Sequence, residues 1–519
     1  MIDRLMTIYS QLRNRQAPDR SAILGIVNSP ELMALQAGSL YAGLRLWSEH
    51  AGLVNSLRER FPELREIEAL LAGADARRLW FPGFIAAIEA RQNIQRDMWI
   101  EFTRAAVQGG IPDYIISFVL MEITLFGLTT DNIYLLAEAM RDSGRIYDYR
   151  PAVAPRILVR RYPTGALSEK VALILPSLLA CAAAKYSLAS NFLVAKSLGF
   201  TGGTWDKLSS IPGFVFPAPG DETERMLQKN SVAMCVTHGD IAPCDRIFYQ
   251  IRSLSGSIES RALIVTSIAS KQGALPADLL LLDVRYGAGA FIPTLAEAAA
   301  VSGEIARIMK EWGLRCVAEF LPAEEPNGAA IGNALEVAEA IAVMDERARG
   351  DWPKDLLAAQ WMIVKNFFIS LVCTMRPKVT ASDAGKFAET VRFSGALLDS
   401  FKRMLLAHRV LPEIADAVCA DPIPFFFRRH PLLVSSAING TVRFIDQKRL
   451  GYFVNFFLGV GGNEFGGKRN LKSGCLLSVR AGQAVQIGSP LAYVYTDYMS
   501  DSFAARATDE IRACVGITD

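Results

Sequence analysis

The chain has 519 residues, of which 51% are hydrophobic and 21% charged, and its formal net charge is +2. That length and apolar content imply two to four packed units with a sizeable core, and near-neutrality without a long basic run argues against nucleic acid as the main partner. The eight cysteines are scattered with no CxxC pair, so neither a zinc site nor a disulfide framework is expected, and reduced thiols in a cytoplasmic protein are. The residues after Met1 lack the basic-then-apolar pattern of a secretory signal. The apolar stretches 114–128 and 171–184 fall short of the ~20 residues that span a bilayer, so no membrane partner is expected.

Residues 1–82 carry apolar side chains at three- and four-residue steps (Leu5, Ile8, Tyr9, Leu12, then Leu40, Leu44, Trp47), the period of amphipathic helices. Pro30 and Pro62 mark helix starts. The helical pattern runs on from 84 to 107, breaks at Gly109-Gly110-Ile111-Pro112, and resumes in an apolar helix over 114–126. Thr129 or Thr130 then caps a helix over 132–141. Next the pattern alternates. A strand at 156–160 is followed by a turn at 161–166, a helix over 171–186 and a strand at 191–195. Further strands at 231–236, 279–284 and 315–321, with a helix over 295–312, predict a mostly parallel sheet covered on both faces. In such sheets ligands sit at the carboxyl ends of the strands. Residues 252–271 read as helical, and Ser267 and Lys271, four apart, share one face. From 335 to about 408 the chain is helical. Short strands at 432–435, 440–444, 452–458, 475–479 and 491–495 then predict a separate small α+β domain.

The run Gly199-Phe200-Thr201-Gly202-Gly203-Thr204-Trp205-Asp206-Lys207 follows a strand and opens a short helical turn. Glycines free the backbone for positive φ and close approach, and the N–H groups of such a turn attract anions. None of the four histidines has ligand spacing; His238 lies near a hinge and is expected to be structural. No metal and no cofactor is expected.

Several stretches together resemble the thymidine and pyrimidine-nucleoside phosphorylase family. They are Gly110-Ile111-Pro112-Asp113-Tyr114, the glycine run through Leu208 with Ile211-Pro212-Gly213-Phe214, Ala242-Pro243-Cys244-Asp245, Asp283-Val284-Arg285-Tyr286-Gly287-Ala288-Gly289-Ala290-Phe291, and Gly332-Asn333-Ala334-Leu335-Glu336-Val337. Their order holds from about residue 83 to the last residue. The resemblance implies an α/β fold with a small all-α domain (83–150 and 240–275), a larger mostly parallel α/β domain (151–239 and 276–405) and a C-terminal α+β domain (406–519), here with an extra N-terminal helical extension (1–82). It also implies a homodimer.

By the same resemblance, Arg252, Ser267 and Lys271 fall on the positions that hold the pyrimidine base. As the glycosidic bond breaks, the leaving base gains negative charge, which cationic donors stabilise in the transition state. The phosphate half departs from the family. Arg161 replaces a lysine, Tyr162 a histidine that contacts the nucleoside, and Pro163 a serine that binds phosphate. Two more phosphate serines appear as Ala172 and Val194, and two glycines as Ala166 and Ser168, while Lys170 and Thr204 are kept. Each lost hydroxyl–phosphate bond costs about 1.5–3 kcal/mol, unless Arg161, Lys170 or Lys196 compensates. Phe200 replaces a further histidine. The expected activity is pentosyl transfer at a pyrimidine nucleoside or base, with Arg252, Lys271 and Tyr162 catalytic, Ser267, Arg161, Thr204 and Lys170 binding, and phosphate or another acceptor as co-substrate. The alternative is a catalytically silent nucleoside-binding sensor or scaffold.

Overall fold

The computed structural model describes residues 2–13, 16, 18–46, 50–197, 199–236, 239–345, 352–461 and 469–518; Trp47, Leu198 and His238 lie outside them. The architecture is α/β, with a parallel five-stranded sheet, two antiparallel sheets and many helices. The chain divides into two compact units.

The first unit holds residues 1–147, 237–276 and 300–313 and is helical. It contains α1 (Ile2–Arg13), α2 (Arg20–Val27), α3 (Ala34–Leu44), α4 (Ala51–Arg60), α5 (Leu64–Leu71), α6 (Phe81–Glu89), α7 (Arg96–Val107), α8 (Asp113–Phe126) and α9 (Thr130–Asp142). Pro30 and Pro62 lie a few residues ahead of α3 and α5 rather than at their first turns. The N-terminal helices are packed into this unit. Tyr9, Leu12, Leu40 and Leu44 are buried, and α3 lies so close to α8 that a side chain at Gly38 would collide with the Tyr114 carbonyl. Arg45, just past α3, pairs with the buried Glu122 of α8 at 2.8 Å.

Two expected continuous helices are interrupted. The 84–107 helix breaks at 90–95, where Arg91 takes a left-handed φ of 52°. Asn132 stabilises the break, accepting from the Ile94 N–H (2.9 Å) and donating to the Gln92 carbonyl (2.8 Å). Likewise 252–271 is divided between α14 (Pro243–Ser255) and α15 (Arg261–Gly273) by a turn at Gly256, whose φ of 73° needs no Cβ. Thr129 caps α9 as expected, its hydroxyl accepting from the Asn132 N–H.

The second unit holds residues 148–236, 277–299 and 314–519. After α10 (Arg150–Val153), strands β1 (Ile157–Pro163), β2 (Leu188–Val194), β3 (Val232–Val236), β4 (Leu279–Tyr286) and β5 (Arg315–Pro322) form a parallel sheet in the order β3-β2-β1-β4-β5. β1 runs on to Pro163, so 161–163, expected in a turn, are strand; each pairs with β4, Pro163 opposite Asp283. β4 is an almost unbroken buried run, the pattern of a strand covered on both faces. Around the sheet stand α11 (Val171–Tyr186), α12 (Thr204–Ser209), α13 (Asp221–Asn230), α17 (Asn333–Met344), α18 (Lys354–Met375), α19 (Ala381–Phe393), α20 (Ala396–Ala407), α21 (Pro412–Ala420) and α22 (Pro422–Phe426). α16 (Leu295–Glu311) follows β4, and residues from 300 onward belong to the first unit. The core beside the sheet takes in residues as far as Phe426, including Ala415 and Val418 from α21.

By length and composition, α18 is the one helix among the described residues that could cross a membrane. It exceeds both apolar stretches noted in the sequence, yet Trp361, Val364, Phe367, Phe368 and Leu371 all lie in the core.

Beyond residue 430, β7 (Leu432–Ser435), β9 (Gly474–Leu477) and β11 (Pro490–Tyr495) join the earlier strand β6 (Ala330–Ile331) in one antiparallel sheet. β8 (Gly440–Ile445), β10 (Ala484–Val485) and β12 (Val515–Thr518) make another, and α24 (Asp501–Cys514) shares their core. The strand expected at 452–458 is absent: α23 (Gln447–Tyr452), capped by Asp446, runs into a π-helical turn over Phe453–Phe457. Its paired aromatics stack at helical spacing, Phe453 on Phe457 and Tyr452 on Phe456.

Candidate active site

Strand order locates the first cluster. The chain moves outward from β1 through β2 to β3, then returns to place β4 on the other side of β1. This is a topological switch point, where open parallel sheets bind ligands. At the carboxyl ends of β1 and β4 stand Arg161 and Asp283, both fully buried and ion-paired. Arg285 also donates to Asp283, from Nε at 2.6 Å and Nη2 at 2.9 Å. The second carboxylate on Arg161 is Glu169, at 3.0 Å, which also accepts from the Val171 N–H (2.6 Å) in the first turn of α11. A side-chain carboxylate thus occupies the positive end of that helix.

Two lysines complete the network. Lys170 pairs with Glu339 at 2.7 Å and donates to the Ser168 carbonyl (2.9 Å). Lys207 pairs with Glu336 at 2.8 Å and donates to the Glu169 carbonyl. Both are 1% exposed, so neither offers its ammonium to solvent. Burial opposes ionisation of Glu169, but Arg161, Lys207 and Arg285 outweigh it and hold its carboxyl down at about 2. Because the folded value lies below the ordinary one, Glu169 stabilises the fold above pH 4.5, and that contribution is lost as pH falls from 4.5 towards 2. It is on the order of 3 kcal/mol. Glu169→Gln is therefore expected to be less stable at pH 7 and to lose less stability on acidification through that window, read from urea midpoints against pH.

The expected erosion of this loop is partly compensated. Ser168, in place of a glycine, still takes a left-handed φ of 64°, and its hydroxyl donates to the Ala330 carbonyl at 2.5 Å. Positive φ therefore survives the loss of glycine there, while Gly165 keeps a φ of 102°. Ala172 and Val194 are buried, the latter in the apolar core. Tyr162 and Thr204 are half-buried.

The glycine run behaves differently from a set of positive-φ positions. Among its three glycines only Gly199 has positive φ, at 55°. Gly203 is needed for space: a Cβ there would collide with the backbone of 195–197. Asp206 braces the loop, accepting from the Ser197 N–H at 2.7 Å. Phe200 is buried against Phe291 and Tyr452, an apolar contact.

The second cluster lies in the helical unit. Lys271 of α15 donates to Ser267 (2.7 Å), one turn earlier, and pairs with Asp245 of α14 at 2.5 Å. Its ammonium lies 5.5 Å from the ring centroid of Tyr249. Asp245 is buried, and its Oδ1 has no hydrogen-bond partner. Arg252 is buried close by in sequence but aims its guanidinium at the turn between the helices. Nε, Nη1 and Nη2 donate to the carbonyls of Ser257, Leu263 and Ile258 at 3.2, 3.0 and 2.6 Å. Ser267 and Lys271 are therefore brought together as their spacing predicted. Asp245, Asp283, Arg285, Glu336 and Lys207 all lie in the motifs quoted from the sequence but had been given no role there. Glu169 and Glu339 carried no signal beyond their type. No group of acidic, histidine or cysteine side chains among the described residues is arranged to hold a metal.

Residues 170–367 match the family described as "Glycosyl transferase family, a/b domain". The chain is 30% identical to the pyrimidine-nucleoside phosphorylase of Bacillus subtilis over 412 residues, 79% of this chain and 91% of that one. It is 29% identical to thymidine phosphorylases of Burkholderia cenocepacia, over 83% of this chain and 94% of that one, and of Homo sapiens, over 76% and 80%. Anthranilate phosphoribosyltransferase from Thermus thermophilus superposes with a TM-score of 0.46 at 15% identity, covering 63% of this chain and 99% of that one.

Proposed function

Since the chain belongs to the thymidine and pyrimidine-nucleoside phosphorylase family, we propose that it is a pentosyltransferase acting on the N-glycosidic bond of a pyrimidine (deoxy)nucleoside, with an acceptor other than inorganic phosphate. Lys271 and Ser267 contact the base. As the bond between the sugar anomeric carbon and the base nitrogen breaks, its electron pair goes to the base. The Lys271 ammonium then stabilises the charge spread onto the base carbonyl oxygens. Arg252 holds the α14–α15 turn.

One observation carries the choice of acceptor: Arg161 and Lys170, the cations on the family's anion-binding side, are buried and already paired with Asp283, Glu169 and Glu339. Admitting a phosphate dianion would set it against those carboxylates, at a cost of several kcal/mol for each buried like-charge contact. Tyr162 and Thr204, half-buried at the end of β1 and in the glycine run, remain to meet a neutral acceptor hydroxyl, water included. The oxygen of that hydroxyl bonds to the anomeric carbon, and its proton passes to the departing base, which leaves neutral.

The test is base release from thymidine, uridine and deoxyuridine with and without phosphate. Release at the same rate in both is expected. A rate proportional to phosphate refutes the changed acceptor. Tight nucleoside binding without release in either makes the protein a silent binder.

A further inference from the structure

The helical extension ahead of residue 83 reaches the turn between α14 and α15 through α1. Tyr9 of α1 is fully buried, and its ring lies on Gly256, so close that a Cβ at that glycine would fall against the ring. Its hydroxyl shares a 2.7 Å hydrogen bond with Ser39 of α3, and α3 is in turn seated on α8 at Gly38. Gly256 is the left-handed hinge of the α14–α15 turn, and the carbonyls of the next two residues, Ser257 and Ile258, are two of the three that Arg252 grips. The turn is therefore clamped from two directions, by Arg252 from within and by the Tyr9 ring from outside.

We propose that Tyr9 is a positioning residue for the base subsite: the N-terminal extension is a buttress that fixes the angle between α14 and α15. That angle sets the register of Lys271 and Ser267, on α15, against Asp245, on α14, a contact held at 2.5 Å. The physical reason is the glycine itself. A residue without Cβ in a left-handed conformation has wide backbone freedom, and a packed ring removes that freedom. The inference rests on the reading of Lys271 and Ser267 as base contacts, and it gives the extension an intramolecular role.

The test compares wild type with Tyr9→Ala, Tyr9→Leu and Tyr9→Phe by amide hydrogen exchange across 253–263 and by thymidine affinity. In Tyr9→Ala and Tyr9→Leu, exchange across the turn is expected to quicken at least about tenfold while the rest of the unit stays protected. Thymidine affinity is expected to weaken about tenfold, with Tyr9→Phe, which keeps the ring, near wild type. Should Tyr9→Ala fail to fold, Tyr9→Leu decides. A folded variant with a loosened turn and unchanged affinity overturns the proposal, as does an unchanged exchange pattern. Wild-type protein that binds no thymidine refutes the base subsite instead, and hydrogen exchange still decides whether Tyr9 clamps the turn.

Discussion

Lys271→Ala is expected to abolish measurable pyrimidine-nucleoside binding, a loss of at least about 100-fold, read by titration calorimetry with thymidine. A charged donor to a base carbonyl is worth about 1.5–3 kcal/mol, and the variant also removes the partner that keeps the Ser267 hydroxyl in place. Truncation has a second consequence. It strands the Asp245 carboxylate, buried with its other oxygen already unpartnered, and breaking a buried pair costs about 3–5 kcal/mol of stability. The double variant Asp245→Asn/Lys271→Met separates the two effects. It leaves no unpaired charge, so stability is expected to recover while binding stays lost. A folded Lys271→Ala that binds thymidine as wild type does would remove this helix face from the base site.

Arg161→Ala is expected to be among the most destabilising substitutions in the second unit, by about 3–5 kcal/mol in urea unfolding. The guanidinium sits between Asp283 and Glu169 with no side-chain exposure. Without it two carboxylates share a buried site with only Arg285 and Lys207 to balance them. An arginine kept chiefly to bind an external anion would instead leave the apo fold nearly unchanged when removed. A shift below about 1 kcal/mol, together with phosphate-dependent base release by wild type, would restore the family's ordinary phosphate role to this residue.

Much of the fold was legible because it rests on local period. Short, largely apolar runs marked β1–β5, and Val171–Tyr186 emerged with the bounds read from its pattern. What escaped was decided by distant residues. The break at 90–95 depends on Asn132, and the turn at Gly256 on Tyr9 and Arg252. The run 452–458 carries the β-type composition of a strand, but aromatic stacking along the helix and on Phe503 won. The same limit applies to the site. Spacing along α15 brought Ser267 to Lys271, whereas the Arg161–Asp283 pair exists because β1 and β4 are neighbours, which only the topology reveals. Nor could residue type alone show that Ser168 would keep a glycine's conformation; its hydroxyl bond to the Ala330 carbonyl comes from 162 residues away.

The helical unit is assembled from three separate stretches, 1–147, 237–276 and 300–313. In synthesis its first stretch precedes the other two, and the face of α8 and the Tyr9 ring must wait for α14 and α15. Before those helices arrive, β1, β2 and β3 have already been made. Vectorial synthesis therefore cannot complete this unit first, although it begins at the N-terminus. Until α14 and α15 are made, the face of α8 that they cover has no partner from this chain, and α3, made within the first stretch and seated on α8 at Gly38, is a cover that stretch alone can lay over α8.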